Sequence, residues 1–161
     1  MNTAPTFAFL FRHPAHFVAL GFGAGLSPWA PGTFGTLIAI PMALWLRWYG
    51  GDIEYGVVLV VLFGLGVWAS AVTGRALGQP DHGGIVVDEV VAFLLVLFFT
   101  GVTPLRIVIA FALFRFFDIV KPPPIRQLDA RMKNGLGVML DDLLAAGYTL
   151  LVFAVGQRIL G

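Results

Sequence analysis

Cysteine is missing from the chain altogether, and charged side chains make up only 12% of its 161 residues. The first absence excludes a disulfide, a thiolate metal site and a cysteine nucleophile. The second sets the chain apart from soluble domains, in which roughly a quarter of residues are charged. Histidine is scarce too, with three residues, which disfavours zinc and other imidazole-bound metals. A net charge of +1 gives no electrostatic reason for a nucleic-acid partner. What fills the sequence is apolar: 58% of the residues are hydrophobic and the mean hydropathy is +0.90. The chain therefore reads as an all-α, polytopic membrane helix bundle, one integral domain over residues 1–161.

A helix that crosses the hydrocarbon core needs ~20 mostly apolar residues, and about five stretches qualify. They cover residues 33–50, 54–78, about 84–100, 104–120 and roughly 138–160. Trp45, Trp48 and Tyr49 form an aromatic belt at the far end of the first, which Pro41 is expected to kink. Gly66, Ser70 and Gly74, at four-residue spacing in the second, offer a small-residue face for close helix packing. Thr103 reads as the N-cap of the fourth, with Pro104 at its first position. Residues 1–31 stand apart from the bundle of residues 32–161. Arg12, His13 and Pro14 interrupt them, so no cleaved signal peptide is expected, and the short run 15–26 suits an interfacial or re-entrant segment.

Alternating these spans across a bilayer brings most of the charge to one face. Arg12, Arg75, Arg115, Lys121, Arg126, Arg131 and Lys133 fall there, against Arg47, Arg106 and Arg158 opposite, which makes the crowded face cytoplasmic. Seven of the nine acidic residues gather on it as well: Asp81, Asp88, Glu89, Asp118, Asp129, Asp141 and Asp142. Asp88 with Glu89 and Asp141 with Asp142 sit about a turn inside their helices. Acidic side chains within a span cost on the order of 2.5–3.5 kcal/mol at its centre and less toward its ends, and they usually mark function. Contacts with N-terminal helix dipoles are the plainer use of such pairs. Two pairs together with Asp118 call for a cation, and oxygen donors suit Mg²⁺, Mn²⁺ or Ca²⁺.

Neighbouring basic residues suggest what that cation meets. Arg115, Asp118 and Lys121 follow at spacings of three, so Arg115 and Lys121 are expected to flank the acid. Pro122, Pro123 and Pro124 then end the helix and hold Lys121 and Arg126 at the interface, which beside a carboxylate-bound metal makes a phosphate pocket. Arg131 and Lys133 read as anchors toward anionic lipid. His82 suits either protonation of a leaving group or completion of the metal shell. The glycine-rich run before the first span, with Ser27 and Thr33, lacks the lysine of a P-loop but offers backbone N–H groups to an anion.

Four blocks, GFGAGLSPWAPGTFGTL, DHGGIVVDEVVAF, FRFFDIVKPPPIRQLD and NGLGVMLDDLLAAG, together resemble the phosphatidylglycerophosphatase A family from about Gly21 onward. The resemblance implies a Mg²⁺-dependent phosphatase of the bacterial inner membrane, active on the cytoplasmic face, that converts phosphatidylglycerophosphate to phosphatidylglycerol. It carries the family's motif positions to His82, Asp88, Glu89, Asp118, Lys121, Arg126, Asp129, Asp141 and Asp142. On that reading Asp88, Glu89, Asp141 and Asp142 hold metal. Lys121 and Arg126 stabilise developing charge, and Asp118 is a further ligand, a base or a direct nucleophile. Arg115, Thr33 and Asp129 join Lys121 and Arg126 around the substrate. The expected partner is a membrane lipid, and a homo-oligomer is compatible with the sequence. The alternative is a small divalent-cation channel or transporter using the same carboxylates.

Overall fold

A computed structural model describes residues 5–160, and its regular structure is entirely helical. The ends of the single-domain reading, residues 1–4 and 161, lie outside the described residues. In order come α1 (Phe7–Leu10), α2 (Pro14–Ala19), a 3₁₀ segment (Gly21–Leu26), α3 (Pro31–Tyr49) and α4 (Asp52–Leu77). They are followed by α5 (Val87–Thr100), α6 (Pro104–Val120), α7 (Ile125–Arg131) and α8 (Gly135–Leu160).

The run from Val90 to Phe99 is apolar on every side, and a helix of that kind is stable only when enclosed. Accordingly α5 occupies the centre, packed against α3, α4, α6 and α8. Phe93 lies in the core with its ring centroid 5.5 Å from that of Phe114, and the Leu94 carbonyl accepts a 2.9 Å hydrogen bond from the buried Tyr55 hydroxyl. At 14 residues α5 is about 21 Å long, short of the ~30 Å hydrocarbon core. The stretch 84–86, expected to be helical, is spent otherwise: Val86 N–H donates to Ala19 O at 2.9 Å and Ile85 N–H to His82 O at 2.7 Å. That turn anchors α5 to α2.

Two helices, Asp52–Leu77 and Gly135–Ile159, are long and apolar enough to cross a membrane. They meet along the small-residue face read from the sequence. A Cβ at Gly66 would lie 2.6 Å from the Met139 methyl, so the flexible tip of this α8 side chain occupies the space that the missing side chain leaves. α8 begins three residues earlier than expected, because the Asn134 side chain accepts the Gly137 N–H at 2.9 Å and caps the helix. α3 continues through Pro41 as one helix, and Thr103 occupies the N-cap of α6 through its carbonyl alone.

Residues 5–26 form a cap of short pieces. Ala15, Ala19 and Leu20 are buried, α2 packs on α4, and His16 Nδ1 lies 2.9 Å from Thr73 Oγ1. Burial, then the charges of His13 and Arg12, lower the His16 pKa. The sequence reading gave no helix after the three prolines, yet α7 forms there. Ile125 buries itself, and Tyr148 of α8 donates to the Pro123 carbonyl at 2.6 Å.

Candidate functional site: a buried carboxylate centre

Because α5 starts at Val87, Asp88 and Glu89 stand in its first turn, while Asp142 stands two turns inside α8. One carboxylate oxygen from each lies within 4.8 Å of the other two. Asp88 is 7% exposed and Asp142 3%. Asp88 Oδ1, Glu89 Oε2 and Asp142 Oδ2 are buried without a hydrogen-bond partner. Such oxygens are costly unless something else satisfies them.

Asp118 brings a fourth carboxylate from the last turn of α6 into electrostatic reach of Glu89 and Asp142. Arg115 Nη1 lies 2.5 Å from Asp118 Oδ2 and 3.6 Å from Glu89 Oε1, and its own Nε is unpartnered. One guanidinium against four carboxylates leaves a deficit of positive charge. The donor set is all oxygen, as a hard divalent cation requires. The first turn of α3 closes the centre: a Cβ at Gly32 would overlap Glu89 Oε1 and lie 3.0 Å from Arg115 Nη1. Thr33, the next residue, is half-buried in that turn.

Two of the expected site residues are placed elsewhere than the sequence spacing suggested. Asp141 was grouped with the metal ligands, but adjacent helical positions diverge by ~100°, and Asp141 Oδ2 instead meets Lys121 Nζ at 2.6 Å. Lys121 was expected beside Asp118. It ends α6 in the left-handed conformation, φ +46°, which breaks the spacing of three and leaves Asp118 to Arg115 alone. Lys121 thus joins a second group outside the trio. Its Nζ is also 3.4 Å from Asp129 Oδ2, while Lys133 Nζ holds Asp129 Oδ1 at 2.9 Å. Lys133, read as a lipid anchor, is therefore tied to Asp129, and Asp129 is a strut between two lysines.

Burial works against the Lys121 charge, but the hydrogen bond and charge of Asp141 outweigh it and hold the ammonium pKa above its ordinary value. Burial likewise raises the Asp129 carboxyl, and Lys133 and Lys121 more than reverse this, lowering its pKa. Arg126 is exposed on α7, and no ion pair forms on it among the described residues. His82 is half-buried in the loop before α5, where its Nδ1 accepts the Gly84 N–H at 3.0 Å, so the neutral ring carries its proton on Nε2. Asp81, left out of the expected site, acts electrostatically on both Lys121 and Asp141. Its place beside His82 was the available signal.

Fold and site define a class: an apolar, all-helical protein with a carboxylate centre at one end of its bundle and lysines fixed beside it. The chain belongs to the phosphatidylglycerophosphatase A family, whose model matches residues 17–157. It is 42% identical over 147 residues to phosphatidylglycerophosphatase A of Haemophilus influenzae, covering 89% of each chain. It is 38% identical over 137 residues to phosphatidylglycerophosphatase A of Escherichia coli, covering 83% of this chain and 77% of that one. A Bacteroides thetaiotaomicron protein, 37% identical over 153 residues and covering 89% of this chain and 94% of its own, bears the provisional name phosphatidylinositol-3-phosphatase. No solved structure matches the chain significantly.

Proposed function

We propose that the chain is a membrane-embedded phosphatase that removes the terminal phosphate of phosphatidylglycerophosphate and leaves phosphatidylglycerol. The observation that carries this reading is the trio Asp88, Glu89 and Asp142, each offering a carboxylate oxygen within 4.8 Å of the other two and each keeping a buried oxygen without a partner, in a member of a family named for that reaction. These three residues would hold Mg²⁺. When bound, such an ion polarises phosphoryl oxygens and lowers the pKa of water.

The chain's own groups supply the rest. Lys121, fixed between Asp141 and Asp129, presents a stationary ammonium to the charge that develops on the phosphoryl group. Arg126, exposed on α7, adds a cation from the solvent side, and Arg115 offers its free Nε from within. Asp118 keeps Oδ2 on Arg115 and receives the proton of the attacking water on its other oxygen. As the bond from phosphorus to the glycerol oxygen breaks, that oxygen takes a proton from solvent water, to which Asp118 returns the one it received, while His82 steadies the departing oxygen with the hydrogen bond its Nε2–H can donate. The products are phosphate and the lipid alcohol.

In this reading α3, α4, α5, α6 and α8 form the five-membered membrane bundle, with the carboxylate end at the cytoplasmic face of a bacterial inner membrane. α5 is too short to span alone, and its irregular flanks are tolerated at depth because protein surrounds them. The cap would lie at the headgroup level, a disposition supported by the exposed aromatic rings of Phe7, Phe11 and Trp29. The channel reading lacks a route: beyond the trio, α5 contributes Val90, Phe93, Leu94 and Leu97 to the buried core. Purified protein with Mg²⁺ should release phosphate from phosphatidylglycerophosphate in preference to phosphatidate. Preference for another phosphorylated lipid would move the substrate assignment, and release from none would end the phosphatase reading.

A further inference from the structure

In the glycine-rich segment before α3, N–H groups that an anion could use close turns instead. Gly23 and Gly25 N–H both donate to Leu20 O, at 3.0 and 2.9 Å, and Ser27 N–H donates to Ala24 O at 3.0 Å. Its glycines answer a different demand, the approach of a second backbone. Gly25 is buried, and a Cβ there would overlap the Gly84 carbonyl oxygen and lie 2.9 Å from the carbon. The contact is reciprocal: a Cβ at Gly84, also buried, would lie 3.0 Å from Gly25 O and 3.3 Å from His82 Nδ1. Each main chain occupies the space of the other's missing side chain.

What Gly25 meets is the turn that leads from His82 into α5. Gly84 N–H donates to His82 Nδ1 at 3.0 Å and Ile85 N–H to His82 O at 2.7 Å, so ring and backbone of His82 are both fastened to the residues that follow. The far end of the turn is enclosed in the same manner. A Cβ at Gly21 would lie 2.6 Å from Val86 Cγ2 and one at Gly35 2.8 Å from Val86 Cβ, while Ala19 O holds Val86 N–H. Gly83, by contrast, is exposed, and a Cβ there meets nothing within 4 Å. Close packing thus falls on Gly84, whose amide holds the ring, and spares its neighbour. His82 Nε2 makes no hydrogen bond among the described residues and remains as the ring's donor.

We propose that the interlocked glycines Gly25 and Gly84 are positioning residues for His82, setting its ring so that Nε2–H meets the departing oxygen of the lipid; this rests on the phosphatase reading above. The imidazole turns about two side-chain torsions, and the Gly84 N–H makes the one hydrogen bond that restrains them. Gly84 is pinned in turn by Gly25. The atoms nearest a Cβ at Gly25 belong to Gly84 and Leu20 and none to His82, so Gly25 acts on the ring at one remove. A donor stabilises charge on a departing oxygen only when it is already in place, and the interlock supplies that placement. A side chain at either glycine parts the two backbones, and the ring swings with Gly84.

The test uses the full chain in detergent and two readouts. Nitrogen-15 NMR of the His82 ring, assigned by its loss in His82→Gln and recorded in chelator, reports the bond at Nδ1 without turnover. The Nδ1 resonance should move in Gly84→Ala and in Gly25→Ala and stay in place in Gly83→Ala. In phosphate release from phosphatidylglycerophosphate, Gly84→Ala should lower kcat about tenfold at unchanged KM, short of the roughly 100-fold expected for a full 1 Å displacement. In the His82→Gln background the same change should cost no more than about twofold further, since the ring it acts through is gone. An unmoved resonance in either glycine variant overturns the interlock, as does an equal kcat penalty with and without His82, the mark of a purely structural role. Should Gly25→Ala not fold, Gly84→Ala decides, because its neighbours need give only a few tenths of an ångström. Wild type that releases no phosphate ends the phosphatase reading instead, and the resonance alone then decides whether the interlock sets the ring.

Discussion

Replacing Gly32 by alanine changes no charge and no hydrogen-bonding group, yet the geometry makes it a direct probe of the centre. The added methyl would sit 3.1 Å from Glu89 Cδ and 3.0 Å from Arg115 Nη1, and it would overlap Glu89 Oε1. Restoring ordinary contact at roughly 3.5 Å requires the nearer carboxylate oxygen to retreat by more than about 1 Å. A displacement of about 1 Å within a catalytic constellation costs on the order of 100-fold in rate, or ~2.7 kcal/mol of transition-state stabilisation. Stability should fall by less, because ~1–3 kcal/mol of overpacking is partly offset by ~0.5–1 kcal/mol of helix propensity. Gly56→Ala and Gly64→Ala are the controls, since a Cβ there meets nothing within 4 Å. Phosphate release at saturating lipid, with Tm measured on the same samples, separates a misplaced carboxylate from a loosened bundle. Gly32→Ala turning over at the wild-type rate would refute the placement of Glu89 in the centre.

Breaking the Lys121–Asp141 pair strands a carboxylate that is 6% exposed, so Lys121→Met should lose roughly 3 kcal/mol in a denaturation experiment. Lys121→Met with Asp141→Leu should recover much of that stability and none of the activity. His16 yields a pH prediction: its folded pKa is lowered, so its contribution is present above the unfolded value of about 6.5 and is lost as pH falls through it. A Tm profile from pH 7.5 to 5 should decline in wild type and flatten in His16→Asn, with turnover at neutral pH unchanged. Asp129 behaves with the same sign at lower pH: its folded pKa is depressed, so its stabilisation is present above about 3.9 and is lost as acid takes pH below that and through the folded value. Asp129→Asn should remove that acid limb from the stability profile.

Much of this was legible in the chain because the solvent is so plain in its composition. The apolar segments, the small face of α4 and the convergence of Asp88, Glu89, Asp118 and Asp142 at one end all follow from period and position. What escaped was decided by individual backbone angles and neighbours. Nothing in the spacing of Arg115, Asp118 and Lys121 announces that Lys121 turns left-handed and abandons the helix for Asp141. The start of α5 was misplaced because Ile85 and Val86 spend their N–H groups on His82 and Ala19, a tertiary preference invisible to local pattern. The division of Asp141 from Asp142 needed the positions of two other helices, α5 and α7, which the linear order does not give.

The central claim is that Asp88, Glu89 and Asp142 form a metal centre for phosphomonoester hydrolysis. Phosphate release from phosphatidylglycerophosphate, after chelation and stepwise return of Mg²⁺, tests it most directly when wild type and Asp142→Asn are run side by side. The account predicts that wild type is silent in chelator and recovers with Mg²⁺, while the variant, inserted and folded, stays at least about 100-fold slower. Full activity in chelator, or an Asp142→Asn rate equal to wild type, would contradict it.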